Sequence, residues 1–156
     1  MADLRVKTAL STTQVEKVRE FLVFSLAEDL YGVELAHVRE IVSPPPLTPV
    51  PRAPRAVMGL CSVRGLLVTV IDLRRKLRLP EAARSTRARI LLTEQARGEV
   101  VGLYVDEVKQ VVRLLEPQIE VATGVLGGEV SEHILGIGRP AGSLLILLNL
   151  ASIVTG

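Results

Sequence analysis

The sequence predicts a mainly β protein in which two small barrels share strands. Roughly nine or ten short apolar runs are separated by turn residues, and short strands at this spacing are typical of barrels and sandwiches. No strand alternates with a long helix, which argues against a parallel doubly wound sheet. The chain has 156 residues, of which 48% are apolar. This suffices for one ordinary domain or for two small ones with a common core.

The N-terminal part of the chain is predicted to hold a tail and a hairpin. Residues 1–19 are polar and mixed in charge, so we expect them to form a tail and residues 20–156 to form a single domain of two β-barrel subdomains. The runs FLVFSL and YGVEL flank the polar step Glu28-Asp29. This pattern predicts two antiparallel strands joined by a tight turn.

The next segment, LAHVREIV, has the spacing of a helix. Its apolar residues recur at i, i+3, i+6 and i+7, as on one face of a short helix: Leu35, Val38, Ile41 and Val42. Three prolines at residues 44–46 would end that helix, because proline lacks a backbone N–H and disfavours helical geometry in the residue before it. We therefore expect a helix over residues 35–42, followed by an extended segment to about Arg55.

Two further hairpins are predicted in the middle of the chain. VMGLCSV and LLVTVID flank Arg64-Gly65, and RILLTE and VVGLYV flank the turn near Arg97-Gly98. Between these hairpins, the carboxylate of Asp72 can cap a short basic helix with the sequence DLRRKL.

The remaining segments are predicted as loops, one irregular strand, a hairpin and a short helix. Residues 81–89 are expected to form a mobile surface loop, and residues 117–132 a second loop. In VKQVVRLL, Val108 and Val112 are predicted on one side of a strand, and Val111 interrupts the alternation, which indicates a kink or bulge. ILGIG and SLLILLN predict the last hairpin, and LASIV predicts a closing helix.

Composition excludes several classes of function. Nineteen Lys and Arg against 17 Asp and Glu leave a net charge of +2, and only 3% of residues are aromatic, with no Trp. The charge and stacking surfaces of a nucleic-acid-binding protein are therefore missing. One cysteine and two histidines cannot supply an internal disulfide or a Cys-rich zinc site. No signal peptide is visible and no apolar stretch reaches the roughly 20 residues that span a bilayer, so we expect a cytoplasmic protein without a cofactor and without direct membrane insertion.

No side chains form a recognisable catalytic motif. Cys61 lies in an apolar β-run, where a thiol is usually a small buried hydrophobe, and His37 is expected to face solvent. A small enzyme that uses Cys61 or His37 stays open as an alternative. Basic residues concentrate between Arg74 and Arg89, and they form either a solvated surface or a contact for an acidic protein partner.

Four segments, in this order along the chain, resemble CheW-like domains. They are FLVFSLAEDLYGVELAHVREIV, LTPVPRAPRAVMGLCSVRGLLVTVIDL, VVGLYVDEVKQVVRL and ILGIGRPAGSLLILLNLASIV. The resemblance covers about residues 20–155, almost the whole chain. Departures from the family pattern include Cys61-Ser62, Thr69 and Asn149, which leave open an accessory CheW-like protein of a divergent signalling pathway.

The resemblance implies two intertwined five-stranded SH3-like barrels with short helices. It also implies a non-catalytic adaptor that couples a chemoreceptor, a methyl-accepting chemotaxis protein, to a CheA-type histidine kinase. The implied partners are the cytoplasmic tip of the receptor, the regulatory domain of the kinase and other CheW-like domains in rings. The implied place of action is the cytoplasmic side of membrane receptor arrays.

The family's receptor groove can be carried onto this chain residue by residue. The residues that would line or flank it are Val38, Glu40, Ile41, Arg64, Val108 and Val111. Arg64 would pair with Glu40, because an unpaired charge in an apolar run is costly and needs such an acceptor. This pair either orients the groove or only joins the strand to the short helix, and both can hold. Val108 and Val111 can equally be ordinary core residues. The kinase contact is assigned to the segment from Pro54 to Gly59.

Overall fold

The computed structural model describes residues 17–121 and 132–155. These residues form two five-stranded sheets and only short helices, which confirms the mainly β fold class. The first strand includes Val18 and Arg19, which the sequence assigned to the tail. Their place in the sheet is supported by an ion pair of 2.6 Å between Arg19 and Glu34 on the neighbouring strand. Residues 1–16 of the predicted tail, and most of the loop predicted over 117–132, lie outside the described residues.

The strands are short and follow the predicted runs closely. In chain order they are β1 (Val18–Leu26), β2 (Asp29–Glu34), β3 (Val38–Val42), β4 (Val57–Val63), β5 (Leu66–Asp72), β6 (Arg89–Glu94), β7 (Val100–Val105), β8 (Glu107–Leu115), β9 (Ile134–Gly138) and β10 (Leu145–Leu148). The α-helices of the described residues are α1 (Leu73–Lys76) and α2 (Leu150–Thr155). Single 3₁₀ turns cover Leu35–His37, Glu116–Gln118 and Pro140–Gly142.

The two sheets are intertwined along the chain. One sheet has the strand order β8-β1-β2-β10-β9, and the other has the order β3-β6-β7-β5-β4. Neighbouring strands are antiparallel except for two parallel pairs, β2 with β10 and β5 with β7. The second sheet is thus one continuous segment inserted between β2 and β8 of the first.

Each sheet curls into a small barrel. This is shown by its two edge strands, which pack against the same apolar cluster. In the second sheet, Val42 of β3 and Met58 of β4 contact one cluster. In the first sheet, Leu114 of β8 and Leu135 of β9 belong to or pack on another. Edge strands can meet in this way only when the sheet between them bends around a common interior.

A third apolar cluster fills the space between the barrels. Strand β1 shows how the shared core is built, because Phe21 and Val23 point into the first barrel while Leu22, Phe24 and Leu26 point into the shared core. Successive side chains of a strand point to opposite faces of the sheet. Both faces of β1 are therefore buried, which explains why its sequence is a continuous apolar run.

The two barrels repeat each other with a permuted strand order. Strands β8, β9, β10, β1 and β2 occupy the same positions in the first sheet as β3, β4, β5, β6 and β7 in the second. Helix α1 follows β5, and α2 follows the matching strand β10. Isolated bridges also correspond, since Thr48 pairs with Leu60 on β4 and Glu120 pairs with Ile137 on β9. A pseudo-twofold relation therefore links the barrels.

The helix predicted over residues 35–42 is wrong. Leu35–His37 is a single 3₁₀ turn and Val38–Val42 is a strand. The pairing of this strand with β6 shifts register once, and such a bulge places Val38 and Ile41 on the same face of the strand. An i, i+3 spacing of apolar residues, which indicates a helix in a regular pattern, here results from a bulged strand.

The predicted hairpins and the cap predicted at Asp72 are confirmed. The turns at Arg64-Gly65 and Arg97-Gly98 join the strands expected to flank them, and β9 and β10 form the last hairpin. The Asp72 carboxylate accepts a hydrogen bond of 2.9 Å from the backbone N–H two residues later, at the start of α1. Local turn and cap chemistry therefore fixes these elements.

An ion pair with little exposure ties the two barrels together near α1. The Asp106 carboxylate accepts hydrogen bonds from Arg74 Nε at 2.9 Å and Nη2 at 2.5 Å, and from the backbone N–H of Ala27 at 2.8 Å. Arg74 Nη1 also donates to the carbonyl oxygen of Pro80 at 3.0 Å. The hydrogen bond to Asp106 raises the pKa of Arg74. This network joins the β1–β2 turn of one barrel to the helix of the other.

Candidate partner-binding groove

Two edge strands, β3 of the second barrel and β8 of the first, form the walls of a groove between the barrels. Ile41 on β3 lies opposite Leu91, and Val108 on β8 lies opposite Phe24. Leu91 and Phe24 both belong to the shared core. Directly paired residues share a face of the sheet, so Ile41 and Val108 face the space between the barrels, and both line one pocket of about 230 Å³.

Two more apolar residues extend the walls. Val111 lies opposite Leu22, a member of the shared core. Val38 lies opposite Thr93, which is two residues from Leu91 and therefore on the same face of β6. Both wall strands carry a bulge, so residues three apart share the groove face.

The bulge predicted in β8 is confirmed, but the predicted sides of the strand are wrong. Val112 lies opposite Phe21 and packs into the first barrel. The shift in pairing with β1 places Val108 on the same face as Val111 instead. The extra residue at the bulge reverses the alternation on which the sequence prediction depended.

The four wall residues form a two-sided apolar surface with pseudo-twofold symmetry. Val38 corresponds to Val108, and Ile41 corresponds to Val111, because the register shift of each wall strand directly follows Val38 in β3 and Val108 in β8. Ile41 is 42% exposed and Val111 45% exposed. Val38 and Val108 are partly buried and pack on the shared core. Ile41 and Val111 are thus available to a partner, and the contacts of Val38 and Val108 with the shared core hold the walls in place.

Charged side chains border this groove. Arg87, Arg89 and Glu107 line the same pocket as the apolar walls. Arg87 Nη1 lies 3.4 Å from Glu107 Oε2, and Lys109 Nζ lies 3.3 Å from Glu107 Oε1. The sequence indicated a basic cluster here but not its carboxylate, because only the tertiary structure brings β8 beside the loop before β6.

The predicted pair of Glu40 and Arg64 is present, but it lies on the other face of β3. Glu40 is opposite Leu92, which points into the second barrel, and Arg64 Nη1 donates to both carboxylate oxygens of Glu40. This contact raises the pKa of Arg64. The Arg64 side chain is 75% exposed because the residue stands in a turn with positive φ, beside Gly65, so the expectation of a buried charge is wrong. The pair joins β3 to the β4–β5 hairpin from the opposite edge of the sheet.

The two residues assigned to the kinase contact differ in accessibility. Pro54 is exposed in the turn before β4. Gly59 is buried and has φ +153, and a Cβ placed there would lie 2.6 Å from the Thr48 carbonyl oxygen. Glycine is therefore required by the close approach of backbone at this point, and Gly59 presents no side chain to a partner.

Cys61 and His37 lie on separate elements. Cys61 is 5% exposed inside the second barrel, and burial raises the pKa of its thiol, which disfavours a nucleophilic thiolate. His37 is exposed on the 3₁₀ turn before β3, as predicted. Within residues 17–121 and 132–155 no three His, Cys, Asp or Glu side chains are grouped so that they could hold a metal ion.

Two barrels that share a core and leave an apolar groove between them define a protein-interaction module. The model of the CheW-like domain family matches residues 20–156, and the chain belongs to that family. It is 28% identical over 149 residues to the chemotaxis protein CheW of Treponema pallidum, which spans 94% of this chain and 85% of the relative. It is 31% identical over 144 residues to protein FrzA of Myxococcus xanthus, spanning 90% and 88%.

A solved structure agrees with the family assignment. The scaffolding protein TtCheW from Thermoanaerobacter tengcongensis matches with a TM-score of 0.79 and 29% identity, covering 85% of this chain and 90% of that one. The resemblance inferred from four motifs is thereby confirmed. CheW-like proteins are non-catalytic chemotaxis scaffolds, so the prediction of a scaffold without catalytic activity is confirmed and a small enzyme is excluded. Within the described part of the chain, no helix has the length and apolar character needed to cross a bilayer.

Proposed function

We propose that this protein couples a chemoreceptor to a CheA-type histidine kinase at the cytoplasmic side of receptor arrays. It would bind the cytoplasmic tip of the receptor in the groove between its barrels. It would bind the regulatory domain of the kinase at a different surface, and other CheW-like domains would join it in rings. Membership of a family of chemotaxis scaffolds supports this proposal.

The observation that carries the receptor assignment is the apolar surface on the two wall strands. A helix presents apolar side chains at i, i+3, i+4 and i+7, and such a stripe binds in grooves lined by apolar residues. Ile41 and Val111 are each exposed by more than two fifths, so a docked helix can remove substantial apolar area from water. The charged border at Arg87 and Glu107 would set the register of the helix.

Glu40 and Arg64 would support the receptor site indirectly, from the face of β3 opposite the groove. Their contact holds β3 against the β4–β5 hairpin, and β3 carries the wall residues Val38 and Ile41. Reversing the charge of Glu40 would place two positive groups together and loosen this edge. For the kinase, the exposed turn at Pro54 is the proposed contact, with Gly59 on β4 allowing the close approach of the backbone at Thr48.

Co-sedimentation tests the proposal. The wild-type protein is mixed with the cytoplasmic fragment of its cognate receptor and with its CheA-type kinase, each alone and both together. We expect wild type to bring kinase and receptor into one pellet. Ile41→Glu and Val111→Glu should each weaken receptor binding by about tenfold or more. Each substitution removes an apolar side chain from the contact and puts there a carboxylate that must lose its hydrating water. Kinase binding should be unchanged.

Leu144→Glu is the matched control, because Leu144 is 54% exposed and lies outside the groove walls. Glu40→Lys should lose receptor and keep kinase, and Arg64→Ala should weaken receptor binding less. If both wall variants bind receptor as wild type does, the groove assignment is wrong. If folded wild type binds neither partner, the coupling function itself is wrong.

A further inference from the structure

A second and larger pocket opens at the end of the second barrel, beside the groove. Its volume is about 680 Å³, within the range of sites that enclose a ligand. Its lining residues come from the triple-proline segment and from the loop before β6: Ser43, Pro44, Pro45, Pro46, Leu47, Arg84, Ser85, Thr86, Ala88, Arg89 and Tyr104. One wall is thus rigid and apolar, and the facing wall carries guanidinium and hydroxyl groups.

The two arginines of this pocket have no carboxylate partner within the described part of the chain. Their neighbours in the basic cluster differ, since Arg74 pairs with Asp106 and Arg87 with Glu107. Arg84 instead lies over the ring of Tyr104, with its guanidinium carbon 5.8 Å from the ring centroid. Arg89 Nη1 donates to the neighbouring carbonyl of Ala88, which leaves its other N–H groups available. Two uncompensated guanidinium groups in one concave site favour an anion.

Tyr104 provides an independent observation. The residue is 7% exposed, yet its hydroxyl forms no hydrogen bond with any residue in the described ranges. Every fully buried side-chain N or O atom in the described ranges has a hydrogen-bond partner, so the Tyr104 ring is buried while its unpartnered hydroxyl reaches the solvent-accessible surface of the pocket. Because Tyr104 lines the pocket together with Arg84 and Arg89, a ligand in the pocket can accept this hydrogen bond.

We propose that this pocket binds an acidic peptide segment of a protein partner, with an Asp or Glu carboxylate held between Arg84, Arg89 and the Tyr104 hydroxyl. A peptide fits the site better than a small inorganic anion does. The pocket is several times larger than one carboxylate, and its proline wall offers an apolar surface to neighbouring side chains. Arg89 also lines the groove, so a protein partner can contact both surfaces. The proposal stands independently of the receptor assignment.

The test is an NMR titration of the ¹⁵N-labelled full chain with an octapeptide of alternating Glu and Ala. We expect the shifts to concentrate at the backbone of Arg84, Ala88 and Tyr104, with weaker binding at higher salt. The same peptide with Gln in place of Glu should bind at least about tenfold more weakly, because charge-assisted hydrogen bonds are roughly twice as strong as neutral ones. No binding of the acidic peptide, or equal binding of both peptides, would overturn the proposal.

Variants locate the site. Arg84→Gln with Arg89→Gln should weaken binding of the acidic peptide by at least about tenfold. Arg52→Gln with Arg97→Gln removes the same charge from exposed positions outside the pocket and should have little effect. Equal losses in the two double variants would show non-specific attraction and overturn the proposal.

Two further arms separate a ligand contact from a structural role. Tyr104→Phe should weaken peptide binding several-fold while leaving the thermal midpoint of the free protein unchanged, because the hydroxyl has no partner to lose. Inorganic phosphate at the same concentration should not displace the peptide. If phosphate binds and the peptide does not, the pocket is a small-anion site and the peptide proposal is wrong.

Discussion

Removing the carboxylate of Asp106 should destabilise the protein more than breaking an exposed ion pair would. In Asp106→Ala, the guanidinium of Arg74 loses its three hydrogen bonds to the carboxylate, and the backbone N–H of Ala27 loses its acceptor. The side chains of Arg74 and Asp106 are only 17% and 15% exposed. Water can therefore replace the lost contacts only in part.

The magnitude follows from this low exposure. Breaking a buried ion pair by removing one partner costs about 3–5 kcal/mol, and the remaining exposure places this pair at the lower end. The backbone N–H of Ala27 is exposed and can donate to water instead, so its lost acceptor adds little. We expect a loss of about 3–4 kcal/mol in the free energy of unfolding. For a chain of this length, each kcal/mol lowers Tm by about 2–4 °C, so Tm should fall by about 6–16 °C.

Urea titration and thermal melting followed by circular dichroism measure this loss. Asp106→Asn keeps an acceptor for the Ala27 N–H and should cost less than Asp106→Ala. Glu20→Ala is the matched control, because it breaks an ion pair with Arg113 whose side chains are 43% and 76% exposed, and exposed pairs contribute about 0–1 kcal/mol. A loss in Asp106→Ala no larger than that in Glu20→Ala would refute the reasoning.

Three further perturbations address single residues. Gly59→Ala should cost about 2 kcal/mol or more in urea titration, because its Cβ would lie 2.6 Å from a carbonyl oxygen at φ +153; a loss below about 0.5 kcal/mol would contradict this. Cys61, whose pKa is raised by burial, should react with a disulfide reagent at neutral pH far more slowly in the folded than in the unfolded protein, and equal rates would contradict its burial. Burial lowers the pKa of His133, so the unfolded state binds its proton more tightly, and stability should fall as the pH drops below about 6.5. His133→Gln should flatten that slope, and an unchanged slope would exclude His133 as its cause.

The hairpins could be predicted from the sequence because their signals are local. Arg64-Gly65 and Arg97-Gly98 each separate two apolar runs, and a short turn fixes which strands pair. The parallel pairs, β2 with β10 and β5 with β7, have no such local signal. They bring together segments far apart in the chain, so the intertwining was expected only from the family resemblance.

The groove walls show why periodicity alone failed at the site. Val38 and Ile41 are three residues apart, as are Val108 and Val111, and each pair shares a face only because its strand is bulged. A bulge adds one residue to a strand, and the resulting spacing of three is the same as that of a helix. The apolar spacing therefore predicts a helix for the segment around Val38, and it predicts the wrong sides for the strand around Val108.

The charged contacts beside the groove and in the second pocket form through tertiary structure. The pair of Glu40 with Arg64 could be expected from the family pattern, although its exposure could not. The contact of Arg87 with Glu107 joins a loop to a distant strand, and nothing in the order of the residues indicates it. The same holds for Arg84 over Tyr104.

The shared core has a consequence for how the two barrels unfold. Among the residues that the structure describes, it contains 14 buried ones, against seven and five in the barrel interiors, so neither barrel can separate without exposing the largest of these apolar clusters. Cooperative units coincide with contiguous buried cores, and the two barrels should melt in one transition. The groove has this core beneath its walls, so its shape should persist until the whole protein unfolds. A force that a partner applies to one barrel would then move both barrels together as one rigid body.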